Sequence, residues 1–281
     1  LGMADDRFQL DALTKLTGQV FAAGILLMYG IQILWLPING VITLPPSIGQ
    51  LVTVLIVLVI INAVNFIDGL DGLAAGVVGI GTLAFFAYSY LLAQQTSPTN
   101  YFSTAGLLSA IVLGMVAGFL PHNFRPAKIF MGDSGAMLLG LLMATSAITV
   151  TGNIDPAAVT NEDLLPALIP LALPVMILIL PLLDLFFAVV RRLSRGQSPF
   201  AADREHIHHQ LQDIGHSHAG AVWVFYHWTA LVSTTLLLFF WLEVPQVMVV
   251  FGSWLILALL QTYWPVLKKM RRYRKAIKNG R

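Results

Sequence analysis

The chain has 281 residues, 57% of them apolar and only 11% charged, with a mean hydropathy of +0.78. A soluble domain carries roughly a quarter charged residues, so an ordinary water-soluble globule is excluded, and so is a disordered chain, which is poor in apolar residues. The absence of cysteine removes disulfide scaffolds, thiolate zinc sites and cysteine nucleophiles. What remains is an all-α polytopic integral membrane protein.

The first residues, Leu1-Gly2-Met3-Ala4 running into Asp5-Asp6, read as the end of a helix arriving from outside, and Leu1 is not an initiator. Further N-terminal helices are therefore expected before this chain. A crossing helix needs about 20 mostly apolar residues. That length predicts eight spans, at 15–36, 49–66, 73–93, 103–121, 135–152, 164–190, 220–242 and 246–267. The sixth contains Pro166, Pro170, Pro174 and Pro181, which predict kinks or tilt. The whole of 1–281 reads as one membrane-embedded domain. Within it, 191–219 forms a loop rich in histidine and arginine, and 268–281 a basic tail.

The cations sort by side. All 16 lysines and arginines fall before or at the first residue of span one, between spans four and five, between spans six and seven, or after span eight. If the spans alternate, these positions share one face. The opposite loops (37–48, 94–102, 153–163 and 243–245) carry none. Lysine and arginine mark the cytoplasmic side, so that face, with the C-terminus, is expected to be cytoplasmic. Ten of the 14 acids lie on or near this face. Acids concentrated at one membrane boundary offer a site for a hard cation or a phosphate. No nucleic-acid-binding pattern is present.

Three motifs lie on this face. Asn62, Asn65 and Asp68, spaced i, i+3, i+6, share one helical face as span two ends. Asp68-Gly69-Leu70-Asp71-Gly72 then breaks the helix, and its glycines let the backbone bend around a ligand. Between spans four and five, His122 through Gly135 bring Asp133 and Ser134 to the start of span five, as an N-cap, as phosphate or metal ligands, or as both. Between spans six and seven, Arg191, Arg192, Arg195 and Arg204 accompany His206, His208 and His209. Three histidines in four residues allow zinc, but beside four arginines donors aimed at a diphosphate fit better. Asp184 lies within span six, where an acid is functional or partnered by default, and His227 within span seven has no evident role.

Taken together, the chain resembles the polyprenyl-phosphate N-acetylhexosamine-1-phosphate transferases, most closely the WecA/TagO-type branch. Four blocks match in order: Asp5-Asp6 with Lys15; Asn62 through Leu73; Asn123 through Gly135; and Arg191 through His209. The resemblance implies that a UDP-sugar, with UDP-N-acetylglucosamine expected, and a polyprenyl phosphate give a polyprenyl-diphospho-sugar and UMP. The reaction would start cell-envelope glycan synthesis on the cytoplasmic face of a bacterial plasma membrane. The implied cofactor is magnesium, with manganese as a substitute, and a homodimer is allowed. Asp133 is the leading implied metal ligand, with Asn65 or Asp68 as helpers. Gly69, Leu70, Asp71, Asn123 and Phe130 would hold the uridine, with Phe130 stacking on uracil. His206, His208 and His209 would contact diphosphate or sugar, with Lys128 and Arg195 also binding substrate. Asp5, Asp6 and Lys15 would handle the lipid phosphate.

Leu13 stands where many members carry a further basic residue, and Ala136 where many carry serine. A general base at Asp5 or Asp6 would add little, because a phosphate monoester with a second pKa near 6 is already mostly dianionic at neutral pH. The competing reading is an ion-coupled transporter, whose site would lie at the bilayer midplane between broken helices.

Overall fold

The computed structural model describes residues 1–36, 42–96, 103–153, 169, 172–173, 175–196 and 207–279. A short helix, α1 (Gly2–Phe8), leads into α2 (Ala12–Met28). Asp11 caps α2 by accepting from the backbone N–H groups of Leu13 and Thr14, each at 3.0 Å. The helix ends where Gly30 takes a positive φ of 76°. Two-residue strands follow, β1 (Trp35–Leu36) and β2 (Ile42–Thr43), antiparallel with Trp35 opposite Thr43.

Four long helices come next: α3 (Pro46–Ile67), α4 (Leu73–Thr96), α5 (Thr104–Asn123) and α6 (Gly132–Asn153). Proline opens α3 at a position where no N–H is needed, and Ser103 caps α5 through the N–H of Gly106. The remaining described helices are α7 (Ile179–Ser194), α8 (Ile207–Asp213), α9 (His218–Leu238) and α10 (Val244–Asn279).

Among the described residues, six helices are long and apolar enough to cross a membrane: α3, α4, α5, α6, α9 and α10. They correspond to six of the eight expected spans. The expected first span is shorter than 15–36, because its last residues leave the helix at Gly30 and enter the hairpin. Of the expected sixth span, residues 164–168, 170–171 and 174 lie outside the described residues, and its final turns form α7.

Helix α3 packs against α6, and α4 against α5 and α9. Val57, Ile60, Ile61 and Val64 of α3 are buried, as are Ala136, Ala144, Ala147 and Ile148 of α6. Gly140 makes the close approach, since a Cβ there would stand 2.7 Å from the Ile61 Cα. Small residues of this kind let helices meet where lipid offers no hydrophobic drive. Apolar side chains such as Leu51, Leu55, Leu257 and Leu260 remain exposed, as a lipid-facing surface requires. The ends of α3 and α5 and the starts of α2, α4 and α6 meet at one end of the bundle, together with α1.

Candidate active site

At that end lies a cavity of about 470 Å³, lined by Asp5, Asp6, Lys15, Asn65, Asp68 through Asp71, Asn123 and Phe130 through Asp133, with Gln9 and Leu10. Its centre is a polar knot built from α1, α2, α3 and α6. Lys15 is ion-paired with Asp5 and donates to Asp133 Oδ2 at 3.1 Å. Asn65 Nδ2 donates to the other oxygen of Asp133 at 2.7 Å. Asp5 is 3% exposed and accepts from the Leu10 N–H at 2.9 Å. Burial raises its pKa above the usual carboxylate value, reinforced by Asp133 and opposed by Lys15.

Asp6 plays a different part. Its two oxygens accept from the backbone N–H groups of Asp133 and Ser134, at 2.8 and 3.1 Å, and from the Ser134 hydroxyl. It therefore caps α6 from a separate helix, occupying N–H groups that the sequence offers to phosphate. The Ser134 hydroxyl and these amides hold Asp6 below the ordinary carboxylate pKa. A carboxylate so satisfied is a poor proton acceptor.

Asp68 has no such support: its pKa is raised to about 6 by burial and by the nearby charges of Asp133 and Asp6. Among the described residues lining the cavity there are five aspartates and one cation, Lys15. That uncompensated negative charge suits a divalent ion. No three histidine, aspartate or glutamate side chains among the described residues form a ready-made cage. Magnesium does not require one, since it binds through one or two carboxylates and completes its shell with water and substrate phosphates. Asp133 and Asp68 supply such carboxylates. The Asn65 amide, as oriented, steadies Asp133 with its nitrogen and leaves its oxygen available.

The other wall is made of two stapled loops. Asn123 accepts from the Gly72 N–H at 3.0 Å and donates to the Ile129 carbonyl at 2.9 Å. Asp71 accepts from the Ala127 N–H at 3.3 Å. Both side chains thus join the 68–72 turn to the 124–131 loop. Phe130 is 77% exposed at the cavity rim, open to a flat partner.

The structure brings together Asp5, Asp6, Lys15, Asn65, Asp68, Gly69, Leu70, Asp71, Asn123, Phe130 and Asp133. Lys128, Arg195 and His209 are exposed and do not line this cavity. His206 and the side chains of His208 and Asp184 lie outside the described residues. Asn62, whose spacing matches Asn65 and Asp68, instead pairs with Gln19 of α2, at 2.7 and 3.3 Å. Sequence reasoning missed Gln9, Leu10, Met131 and Gly132 of the lining and the capping role of Asp6, for which no local pattern exists.

The fold and cavity together define a polytopic membrane protein with an aspartate-lined site at one end of its helical bundle. Residues 1–151 match the family described as Glycosyl transferase family 4, and the chain belongs to it. It is 40% identical over 273 residues to a decaprenyl-phosphate N-acetylglucosaminephosphotransferase of Mycolicibacterium smegmatis, covering 96% of this chain and 67% of that protein. The protein of the same name from Mycobacterium leprae is 38% identical over 237 residues, 83% of this chain and 60% of its own length. A probable undecaprenyl-phosphate N-acetylglucosaminyl 1-phosphate transferase of Bacillus subtilis is 34% identical over 231 residues, 80% of this chain and 58% of the relative. The chain thus spans about three-fifths to two-thirds of the length of these relatives.

Proposed function

We propose that the protein transfers N-acetylglucosamine-1-phosphate from UDP-N-acetylglucosamine to a polyprenyl phosphate, with magnesium, at the cytoplasmic face of a bacterial inner membrane. The observation that carries this reading is the convergence of Asp5, Lys15, Asn65, Asp68 and Asp133 in one cavity beside the stapled 68–72 turn. The names of the similar proteins support the substrate classes, and the one-sided distribution of all 16 cations supports the orientation. A transporter is disfavoured because the acids gather at helix termini, not halfway along broken helices.

In this reading an oxygen of the lipid phosphate attacks the sugar-linked phosphorus of the nucleotide sugar. The pyrophosphate bridge breaks and UMP leaves with the bridging oxygen. Lys15 offsets the charge of the incoming lipid phosphate, and Asp5 and Asp133 fix its ammonium in place. Asp6 holds the start of α6, and with it Asp133, in position. Gly69 through Asp71 and Phe130 seat the uridine. Magnesium, held by Asp133 with Asp68 and Asn65, supplies the positive charge that lets two anionic phosphates approach. No general base is required, because the lipid phosphate reaches the site largely deprotonated.

The test supplies membranes holding the full-length protein with labelled UDP-N-acetylglucosamine and polyprenyl phosphate, with and without magnesium. Magnesium-dependent UMP release that vanishes in Asp133→Ala is expected. Metal-independent release, or solute uptake in place of transfer, would sink the reading.

A further inference from the structure

Gly72, which ends the cavity-lining turn with a φ of +78°, is gripped from both sides. Its N–H donates to Asn123, and its carbonyl accepts from the hydroxyl of Tyr226, a residue of α9 distant in sequence. Tyr226 can reach this carbonyl because α4 carries Gly76 one turn further on, where any Cβ would overlap the tyrosine ring. The Trp223 ring packs against the same tyrosine in a T-shaped arrangement, with centroids 5.5 Å apart. Tyr226 is 7% exposed, and a buried phenol needs an acceptor. The one it finds belongs to the turn that carries Gly69, Leu70 and Asp71 to the cavity wall.

We propose that Tyr226 is a positioning residue for this turn, one that sets affinity for the nucleoside diphosphate sugar and leaves the phosphoryl-transfer step alone. It is not among the residues that line the cavity, and its hydroxyl meets the turn at the Gly72 carbonyl. Its position beyond residues 1–151 means that the C-terminal half of the chain completes a wall built by the N-terminal half. The Asp5, Lys15 and Asp133 knot belongs to other elements and does not depend on the phenol. This assignment rests on reading the cavity as a nucleotide-sugar site.

Tyr226→Phe in the full-length protein keeps the ring over Gly76 and deletes one hydroxyl. Loss of one buried hydrogen bond to the turn is expected to raise KM for UDP-N-acetylglucosamine by about 5- to 10-fold. The kcat and the KM for polyprenyl phosphate are expected to stay within about twofold. An unchanged nucleotide-sugar KM, or a fall in kcat with both KM values shifted, would overturn the proposal. A second readout needs no substrate. Amide exchange at residues 69–73 should quicken by about 5- to 10-fold in the variant while the start of α6 is unaffected, and unchanged exchange also overturns the proposal. If the unaltered protein fails to turn over the nucleotide sugar, the transferase reading falls, and the exchange result alone decides whether Tyr226 holds the turn.

Discussion

Two polar clusters of this molecule obey opposite rules. At the end of the bundle, Asp5 and Asp133 share Lys15, and Asp68 is driven up to about 6 by burial and by the charges of Asp133 and Asp6. Between α9 and α10 a second cluster is neutral and closed. His227 Nδ1 pairs with Gln261 Oε1, and Trp254 donates to His227 Nε2 at 2.6 Å. Trp228 donates to Thr262 Oγ1 at 3.1 Å. Both imidazole nitrogens are used, so the neutral ring with the proton on Nδ1 satisfies every partner. A closed neutral network holds helices together where lipid gives no hydrophobic drive. An open charged one marks the place a ligand completes.

The largest effect should come from the open cluster. Asp133→Asn keeps the backbone N–H that Asp6 accepts and removes one charge from a repelling set. Activity is expected to fall by about 10³-fold or more, the loss of several kcal/mol of charge stabilisation. Thermal stability should change little, because relief of the repulsion on Asp68 is set against the weakened Lys15 and Asn65 contacts of the Asp133 carboxylate. A variant that keeps activity within about tenfold, or melts well below the unaltered protein, would erase the distinction between the clusters.

The closed cluster should behave in reverse. His227→Phe leaves the Trp254 N–H and the Gln261 amide without partners, at a cost of about 1 kcal/mol measured by reversible unfolding in detergent. Transfer activity should remain within about twofold, since the site lies elsewhere. A strong activity loss with unchanged stability would move His227 into the functional machinery.

What the sequence discloses follows the same division. Six spans were readable because a run of about 20 apolar residues is hard to imitate. The first was overextended because hydropathy is blind to direction: residues 29–36 are apolar enough for lipid, yet Gly30 turns the chain and Trp35 pairs with Thr43. The acids of the site stood out because charge is rare in such a chain. Long-range satisfaction left no trace. Asp6 caps a helix start 127 residues away, and Asn123 and Asp71, which the resemblance implies as uridine contacts, also staple two loops. Tyr226 sits in an apolar span where nothing local separates a positioning phenol from a packing one.

The smallest expected effect sharpens the comparison from within the same end of the bundle. Asp11 is an exposed carboxylate near the acidic cavity, yet it belongs with the closed cluster by chemistry. The Thr14 hydroxyl, the Thr14 N–H and the Leu13 N–H all donate to it. The Thr14 hydroxyl and N–H lead in holding its pKa below the ordinary carboxylate value of 3.8. A lowered pKa means the folded state favours the ionised form. The cap's contribution is therefore complete above 3.8 and is lost as pH falls through the lower folded value. Amide exchange at Leu13 and Thr14 should accelerate only in that acidic window. Asparagine caps helices as well as aspartate does and has no proton to gain there, so Asp11→Asn should remove the pH dependence while preserving the protection. The same acid-triggered acceleration in Asp11→Asn would show that the start of α2 is held by the neighbouring acidic cavity and not by its own cap.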